Sequence, residues 1–170
     1  MKFRIAAALA VCLNSASLSF GAAAASPPPV LRLPGGADKA ISREAILGPG
    51  RMDVRREGSE GDVTVFHGQP LLDVLEKGGL ETKAMASQRH LAPAVAVVTA
   101  RDGYTVVFSV GELLMHRADP RVFLVAESSS GPLPENEGPV RLLVYGDRAR
   151  SAYGLARVEV KLLAENPAKK

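Results

Sequence analysis

The most informative absence in this 170-residue sequence is cysteine, which occurs only once, at Cys12. That residue lies within an apolar run near the amino terminus, and no thiol follows it. The rest of the chain therefore cannot form a disulfide. It also offers no thiolate for metal ligation, redox exchange or nucleophilic catalysis. Its stability has to come from the packing of apolar side chains.

The segment around the cysteine has the pattern of an export signal. Lys2 and Arg4 give it a positive start, and the apolar run Ile5–Leu13 is shorter than the roughly 20 residues of a membrane helix. Four alanines at 22–25 then offer a cleavage site after the third or the fourth. We expect residues 1–25 to be removed as a signal peptide, which makes the mature protein periplasmic or secreted.

Aromatic side chains and the motifs of common enzymes are also scarce. The chain has no tryptophan and 5% aromatic residues, which argues against a carbohydrate-stacking platform. It contains no Gly-x-Ser-x-Gly elbow, no Gly-x-Gly-x-x-Gly and no phosphate loop ending in Gly-Lys-Ser/Thr. The three histidines, His67, His90 and His116, do not have a zinc-ligand spacing such as His-x-x-x-His. The sequence therefore predicts no metal site.

The charge balance excludes another set of partners. Two of the 21 basic residues belong to the predicted signal, which leaves 19 basic against 18 acidic side chains. A chain so close to neutral lacks the cationic surface that nucleic acid or anionic membranes require. No later stretch approaches the roughly 20 apolar residues that cross a bilayer. We expect no nucleic-acid partner and no membrane insertion, while a periplasmic or membrane-associated protein partner stays open.

The residues after the signal divide into three parts. Residues 26–29 form a Pro-rich leader, residues 30–163 form one domain with a single core, and residues 164–170 form a flexible tail. Runs of alternating or continuous apolar residues with β-branched character outnumber the helical patterns. We therefore predict a mixed α/β domain of the α+β class, mostly β-strands with two or three short helices.

Local signals give the bounds of the predicted elements. Ser42 caps a helix over Arg43–Leu47. Pro70 suits a first helical turn, so Gly68-Gln69-Pro70 begins the clearest helix, which Gly78-Gly79 ends. A further helix is predicted over Glu112–His116 and a surface loop over Glu127–Glu137; the predicted strands are Val30–Leu33, Met52–Arg56, Val63–Phe66, Ala94–Thr99, Tyr104–Val110, Val122–Ala126, Val140–Val144 and Leu155–Leu163.

Arg141 is the candidate that is hardest to explain as an ordinary surface residue. It interrupts the otherwise apolar strand Val140–Val144. A guanidinium group in such a strand needs a carboxylate partner, a bound anion or an outward-facing position in solvent. Strand alternation alone satisfies the third option, so the sequence leaves all three open.

Three other residues are candidates for an anion site. His67 lies between a predicted strand and the predicted helix start, where backbone amides favour an anion. Arg148 and Arg150 share a loop with Ser151, and two guanidinium groups on one loop suit a phosphate. The alternative for each of these residues is an ordinary solvated loop position.

The Asp102-Gly103-Tyr104 segment also has two interpretations. Asp-Gly is a favoured bend for a β-hairpin, and a tyrosine ring beside it packs readily on the sheet. The bend is then purely structural. In the functional alternative, Asp102 and Tyr104 line a ligand cleft.

Four segments together resemble one known family. They are Phe66–Leu75, Asp102–Ser109, Gly131-Pro132-Leu133 and Gly138–Val144. In this order and at this spacing they are similar to the molybdopterin-binding domain of the sulfite oxidase family. The likeness covers roughly residues 30–163.

The resemblance implies a fold and a cofactor. It implies the sulfite-oxidase-type molybdopterin-binding fold, which is a mixed and largely β domain around a deep cleft. Molybdopterin is the cofactor that it makes possible. The residues that it implies for the cofactor site are Arg141 first, then His67, Arg148 and Arg150, with Asp102 and Tyr104 in the hairpin.

The sequence departs from the family at two places. The cysteine that ligates molybdenum would fall just before Glu57-Gly58, where Arg55 or a neighbour stands. The Gly- and Lys-rich stretch ending in Lys-Trp, which helps hold the pterin phosphate, is replaced by Tyr145–Tyr153. We therefore expect a degenerate oxidoreductase that acts as a periplasmic binding or interaction module. The alternative is a genuine molybdopterin-dependent oxidoreductase, or a subunit of one, that binds the cofactor through arginines and backbone groups.

Overall fold

The computed structural model describes residues 26–58, 61–84 and 89–163. The predicted signal peptide at 1–25 with its Cys12, and the predicted tail at 164–170, lie outside these residues. Strands make up about 40% of the chain and helices about 17%, which confirms the prediction of a mixed, mostly β, single-domain α+β fold. The finer prediction of a sulfite-oxidase-type fold stays a prediction.

Most strand and helix bounds lie close to the predicted ones. Ser42 caps the first helix as predicted, because its side chain accepts a hydrogen bond from the Ala45 amide. The strands are β1 (Val30–Arg32), β2 (Lys39–Ala40), β3 (Met52–Glu57), β4 (Val63–Pro70), β5 (Ala94–Ala100), β6 (Thr105–Ser109), β7 (Val122–Ser128), β8 (Gly131–Pro132), β9 (Arg141–Val144) and β10 (Leu155–Leu162); the helices are α1 (Arg43–Leu47), α2 (Leu71–Gly78) and α3 (Val110–Met115).

The strands form two sheets. The first sheet has the order β2-β1-β10-β5-β6, in which β1 runs parallel to β10 and the other neighbours are antiparallel. The second sheet has the order β3-β4-β7, with β8 and β9 on the far edge of β7. The predicted hairpin is confirmed, because β5 pairs with β6 around Gly103, whose φ of +87° suits glycine.

The main hydrophobic core joins both sheets and the helices α1, α2 and α3. Alternate residues of β5 are buried, as expected of a strand with one face against the core. Leu71 and Leu75 of α2 are fully buried, as are Leu124 of β7 and Leu142 of β9. Burial of each such side chain contributes roughly 1.5–3 kcal/mol, so this core stabilises the domain without any disulfide.

The second sheet has apolar side chains on both faces of β7 and β9. A smaller apolar cluster consists of Val54, Phe66, Phe123, Val125 and Leu143, and its members on β7 and β9 alternate with residues of the main core. We call the side of the sheet that bears this cluster the outer face. Because both faces of β9 are covered, all four of its residues are buried. This outer face carries the candidate site.

The start of the clearest helix differs from the prediction. Residues 68–70 continue β4 and pair with β7, so the helix begins at Leu71 with Pro70 as its N-cap residue. A Cβ atom on Gly68 would lie 2.2 Å from the Leu124 carbonyl oxygen, which explains the glycine by close approach of β7. The pairing that extends β4 is long-range, and local helix signals could not indicate it.

Two smaller differences concern the start of α3 and the predicted loop Glu127–Glu137. Val110 was predicted as the end of a strand, but Ser109 caps α3 by accepting a hydrogen bond from the Gly111 amide at 3.1 Å. The helix therefore begins two residues before the predicted Glu112. The predicted surface loop over Glu127–Glu137 contains the end of β7 and the short strand β8, which pair with each other.

Candidate functional site

Arg141 begins β9 and lies opposite Val125 of β7 in the antiparallel register. Residues directly opposite in such a pair point to the same side, so its side chain lies on the outer face. The residue is only 2% exposed, which excludes the solvent-facing alternative that the sequence left open. Its guanidinium carbon lies 4.9 Å from the centre of the Phe66 ring and 4.3 Å from that of Tyr153. Both distances fall within the range of cation–π attraction.

The hydrogen bonding of Arg141 is incomplete. Its Nη1 donates to the carboxylate of Glu137, which lies four residues earlier in the chain. Its Nε and Nη2 are buried and have no hydrogen-bond partner among the described residues. Buried polar groups in folded proteins are nearly always paired, and leaving a charged donor unpaired is costly. These two donors make Arg141 the residue of this face best placed to donate hydrogen bonds to an acceptor group.

A cleft of about 630 Å³ opens beside Arg141. Arg56 and Arg148 are the other basic residues of its wall, and Asp62 and Glu137 are the acidic ones. The cleft walls also carry the hydroxyl groups of Thr64, Ser128 and Ser130. Because Glu137 already pairs with Arg141, the remaining wall has more positive than negative charge.

The strand register brings these residues to one face. Arg56 of β3 lies opposite Thr64 of β4, and Phe66 of β4 lies opposite Ser128 of β7. Residues two apart on a strand share a face, so all four belong to the outer face with Arg141. The cleft is thus a direct product of the alternation in β3, β4 and β7.

Arg148 lies at the exposed mouth of this cleft. Its Nη2 donates to the backbone carbonyl of Glu57 at 2.6 Å, which connects the β9–β10 loop to the end of β3. Arg56 and Arg148 also line a neighbouring cleft of about 580 Å³ that includes Arg55. Arg55 and Arg148 therefore lie on the wall of one cleft.

Arg150 lines a different cleft, of about 280 Å³. It forms ion pairs with Asp147 at 2.8 Å and Glu112 at 3.2 Å. The hydrogen bond between Arg150 and Asp147 holds the pKa of the Asp147 carboxyl below its usual value and raises that of the guanidinium. Arg148 and Arg150 are therefore adjacent in the loop but do not meet at one ligand position.

His67 lies inside β4 rather than at a strand-to-helix junction, so its predicted position was wrong. It is opposite Asp53 of β3, and its Nδ1 lies 2.7 Å from the Asp53 carboxylate. Because it alternates with Phe66, its side chain points away from the outer face and from Arg141. Because α2 begins only at Leu71, His67 is too far along the chain from the helix start for its backbone amides to favour an anion beside this histidine.

Asp102 and Tyr104 belong to the β5–β6 hairpin, which contacts the loops before and after β9. The Asp102 carboxylate accepts a hydrogen bond from the Tyr104 amide at 2.9 Å, which fixes the bend. The Tyr104 hydroxyl donates to the carbonyl of Ala149, and Arg101 donates to the carbonyl of Gly138. The hairpin thereby holds the loops on either side of β9, and these contacts agree with the structural interpretation of the segment.

Four residues around Arg141 and its cleft were not predicted from the sequence: Glu137, Tyr153, Arg56 and Phe66. Glu137 was placed in a surface loop, and its position four residues before Arg141 was the only local signal of the ion pair. Tyr153 follows the basic loop, and nothing in its neighbourhood indicates stacking on a strand residue. Arg56 was visible as a charged residue of an alternating strand, but its face depends on the register with β4.

Neither protein-family models nor curated proteins match this chain. Within residues 26–58, 61–84 and 89–163, no group of three or more His, Cys, Asp or Glu side chains is placed to hold a metal ion. In the same part of the chain, no helix is long and apolar enough to cross a membrane.

Proposed function

We propose that this chain is an exported, molybdopterin-binding-like domain that works as a binding or interaction module in the periplasm, and that its ligand is anionic. The observation that supports the proposal is the buried Arg141, whose Nε and Nη2 lack partners beside an open cleft. An anionic group there would pair both donors. The proposal of a molybdopterin-binding-like fold is supported by the order and spacing of four segments, Phe66–Leu75, Asp102–Ser109, Gly131-Pro132-Leu133 and Gly138–Val144.

The electrostatics of the cleft favour an anion over a neutral or cationic ligand. A buried guanidinium group with a single carboxylate partner loses its hydration without full compensation. The half-exposed Arg56 and the exposed Arg148 add positive charge at the cleft wall. A volume of about 630 Å³ lies within the usual range of small-molecule sites.

The residues present fit the anionic part of a molybdopterin-type cofactor but not a thiolate-ligated molybdenum. Arg141 offers unpaired donors for a phosphate group. The position of the family's cysteine is occupied by Arg55 or a neighbour, and the one cysteine of the chain belongs to the predicted signal. The proposed function therefore includes no redox step, and the chain would be a degenerate oxidoreductase.

A genuine molybdopterin-dependent oxidoreductase, or a subunit of one, is the second candidate. The cleft volume and the two aromatic residues in its wall, Phe66 and Tyr153, favour it, since such a cleft has space for a heterocyclic ligand next to a phosphate site. Molybdenum and pterin contents of the protein, purified from cells that make the cofactor, test this candidate. Stoichiometric amounts of both would establish it, and the absence of both would exclude it.

The first candidate is tested by anion binding to the purified protein. We expect inorganic phosphate to raise the melting temperature of the wild type saturably, because a ligand of the folded state stabilises it. Arg141→Gln should abolish this rise. Arg150→Gln is the matched control, because that arginine lines another cleft and should leave the rise intact. A phosphate effect that survives in Arg141→Gln would overturn the proposal.

A further inference from the structure

We propose that Arg141 holds its ligand by one edge of the guanidinium group, formed by Nε and Nη2, and that the ligand therefore presents two oxygens in one plane. Carboxylate, phosphate and sulfate groups share this chemistry. The inference rests on the proposed anion-binding function and adds the class of ligand group and the way in which it is held.

The Nε–Nη2 edge is the part of the Arg141 guanidinium group that has no hydrogen-bond partner among the described residues. A guanidinium group has two flat faces and five N–H donors in its plane. The rings of Phe66 and Tyr153 each lie against the guanidinium, and Glu137 accepts from Nη1. Of the Arg141 nitrogens, Nε and Nη2 have no hydrogen-bond partner among the described residues, and they lie next to each other in the plane. Two oxygens of one group give both donors a straight hydrogen bond, whereas one oxygen placed between them accepts two bent and weaker ones.

The same chain contains an occupied example of this edge. Arg32 donates from Nε and Nη2 to the two carboxylate oxygens of Asp38, at 2.5 and 2.7 Å. That pair lies in solvent, with side-chain exposures of 41% and 40%. Arg141 presents the same two atoms in a buried position without the carboxylate. The geometry thus points to an external oxyanion in the role that Asp38 has for Arg32.

Because the Nε–Nη2 edge of Arg141 is buried, an oxyanion can reach it only if neighbouring side chains move. Nε and Nη2 have essentially no solvent contact, so side chains of the cleft wall must shift when the ligand binds. Tyr153 is the ring with freedom to do so, since it is 51% exposed while Phe66 is 7% exposed. We infer that the Tyr153 ring moves when the oxyanion reaches the edge.

The test uses the full-length chain and NMR signals of arginine Nε–H groups, with sodium phosphate, acetate and chloride at constant ionic strength. The Arg141 Nε–H signal should shift saturably with phosphate or acetate. Chloride, a single-centre anion, should bind at least about tenfold more weakly, because it can accept from the two parallel donors only through bent hydrogen bonds. Equal affinity for chloride and for the oxyanions would overturn the inference, as would oxyanion binding that leaves the Arg141 signal unmoved.

Arg141→Lys separates charge from geometry, because lysine keeps the charge and lacks the paired donors. We expect phosphate affinity to fall about tenfold or more in this variant. Arg32→Lys is the matched control and should leave it unchanged. Phosphate binding by Arg141→Lys as strong as that of the wild type, with none by Arg141→Gln, would overturn binding through the Nε–Nη2 edge and would leave the proposal of an anion-binding cleft intact. If no anion binds even the wild type, the proposed function fails first. The wild-type NMR titration decides the question if the lysine variant does not fold.

Discussion

At the scale of the residue, the account depends on one buried cation. Arg141 is 2% exposed, has one carboxylate partner and contacts two rings. The sequence indicated the residue, because a charge inside an apolar strand needs an explanation. It did not indicate Glu137, Phe66 and Tyr153 as its neighbours, since two of these come from loops and the third depends on strand register.

The ion pair with Glu137 gives a prediction for stability. Glu137→Gln should lower the free energy of unfolding by about 2 kcal/mol, because it removes the one charge that compensates a buried guanidinium group. Phosphate should restore part of the loss by pairing with Arg141. Urea unfolding with and without phosphate measures both effects. Glu135→Gln, at an exposed position of the same loop, is the control and should change neither; an equal loss there would contradict the ion-pair explanation.

A second residue-scale prediction concerns pH. The hydrogen bond from Arg150 lowers the pKa of Asp147 in the folded protein relative to the unfolded chain. A lowered folded-state pKa means that the stabilisation is complete above the unfolded value of about 4 and is lost as pH falls through the folded-state value. Asp147→Asn should therefore reduce stability at neutral pH and flatten its acid dependence. A pH series of urea unfolding that shows the same slope in both proteins would contradict this.

At the scale of the element, alternation predicted the strands well and long-range pairing corrected their ends. The β5–β6 hairpin, α1 with its Ser42 cap and the end of α2 at Gly79 follow from local signals. The extension of β4 to Pro70 does not, because it depends on pairing with β7, about 55 residues further along the chain. The same pairing moves His67 to the face opposite Arg141, so the error in one element produced the error in one site residue.

Gly68 gives the prediction for this scale. A Cβ atom there would meet the Leu124 carbonyl at 2.2 Å and the Val125 Cα at 2.7 Å, both in the backbone of β7. Gly68→Ala should destabilise the protein by about 1–3 kcal/mol through overpacking and lower its melting temperature. Gly36→Ala, where the nearest atom lies at an ordinary 3.5 Å, is the control. Equal melting temperatures for Gly68→Ala and the wild type would contradict the prediction, because they would mean that the β7 backbone moves away at little cost in free energy.

At the scale of the whole molecule, the site is separate from the main core. The core lies between the two sheets, whereas Arg141 and its cleft lie on the outer face of the second sheet. Substitution of exposed cleft residues such as Arg148 should therefore affect binding more than folding. The sequence predicted the fold class, which the structure confirms, whereas the anionic ligand that Arg141 suggests stays a prediction. It could not predict the cleft, because the cleft forms only when β3, β4 and β7 are in register.

The predicted export gives a test on the whole chain. If residues 1–25 are removed, the mature protein has no cysteine, since Cys12 is the only one. Thiol titration under denaturing conditions should then find no thiol, and the intact mass should correspond to a chain that starts near Ser26. One thiol per chain, with the mass of all 170 residues, would contradict cleavage.

A selenate soak of protein crystals tests most directly whether Arg141 binds an oxyanion in the cleft of about 630 Å³ beside it. Selenate presents the oxygens of sulfate together with an anomalous scatterer, so its position can be read from an anomalous difference map. The account predicts a peak beside Nε and Nη2 of Arg141, lost in Arg141→Gln crystals. A well-diffracting crystal with no peak at this edge, or with peaks only at other arginines, would contradict the account.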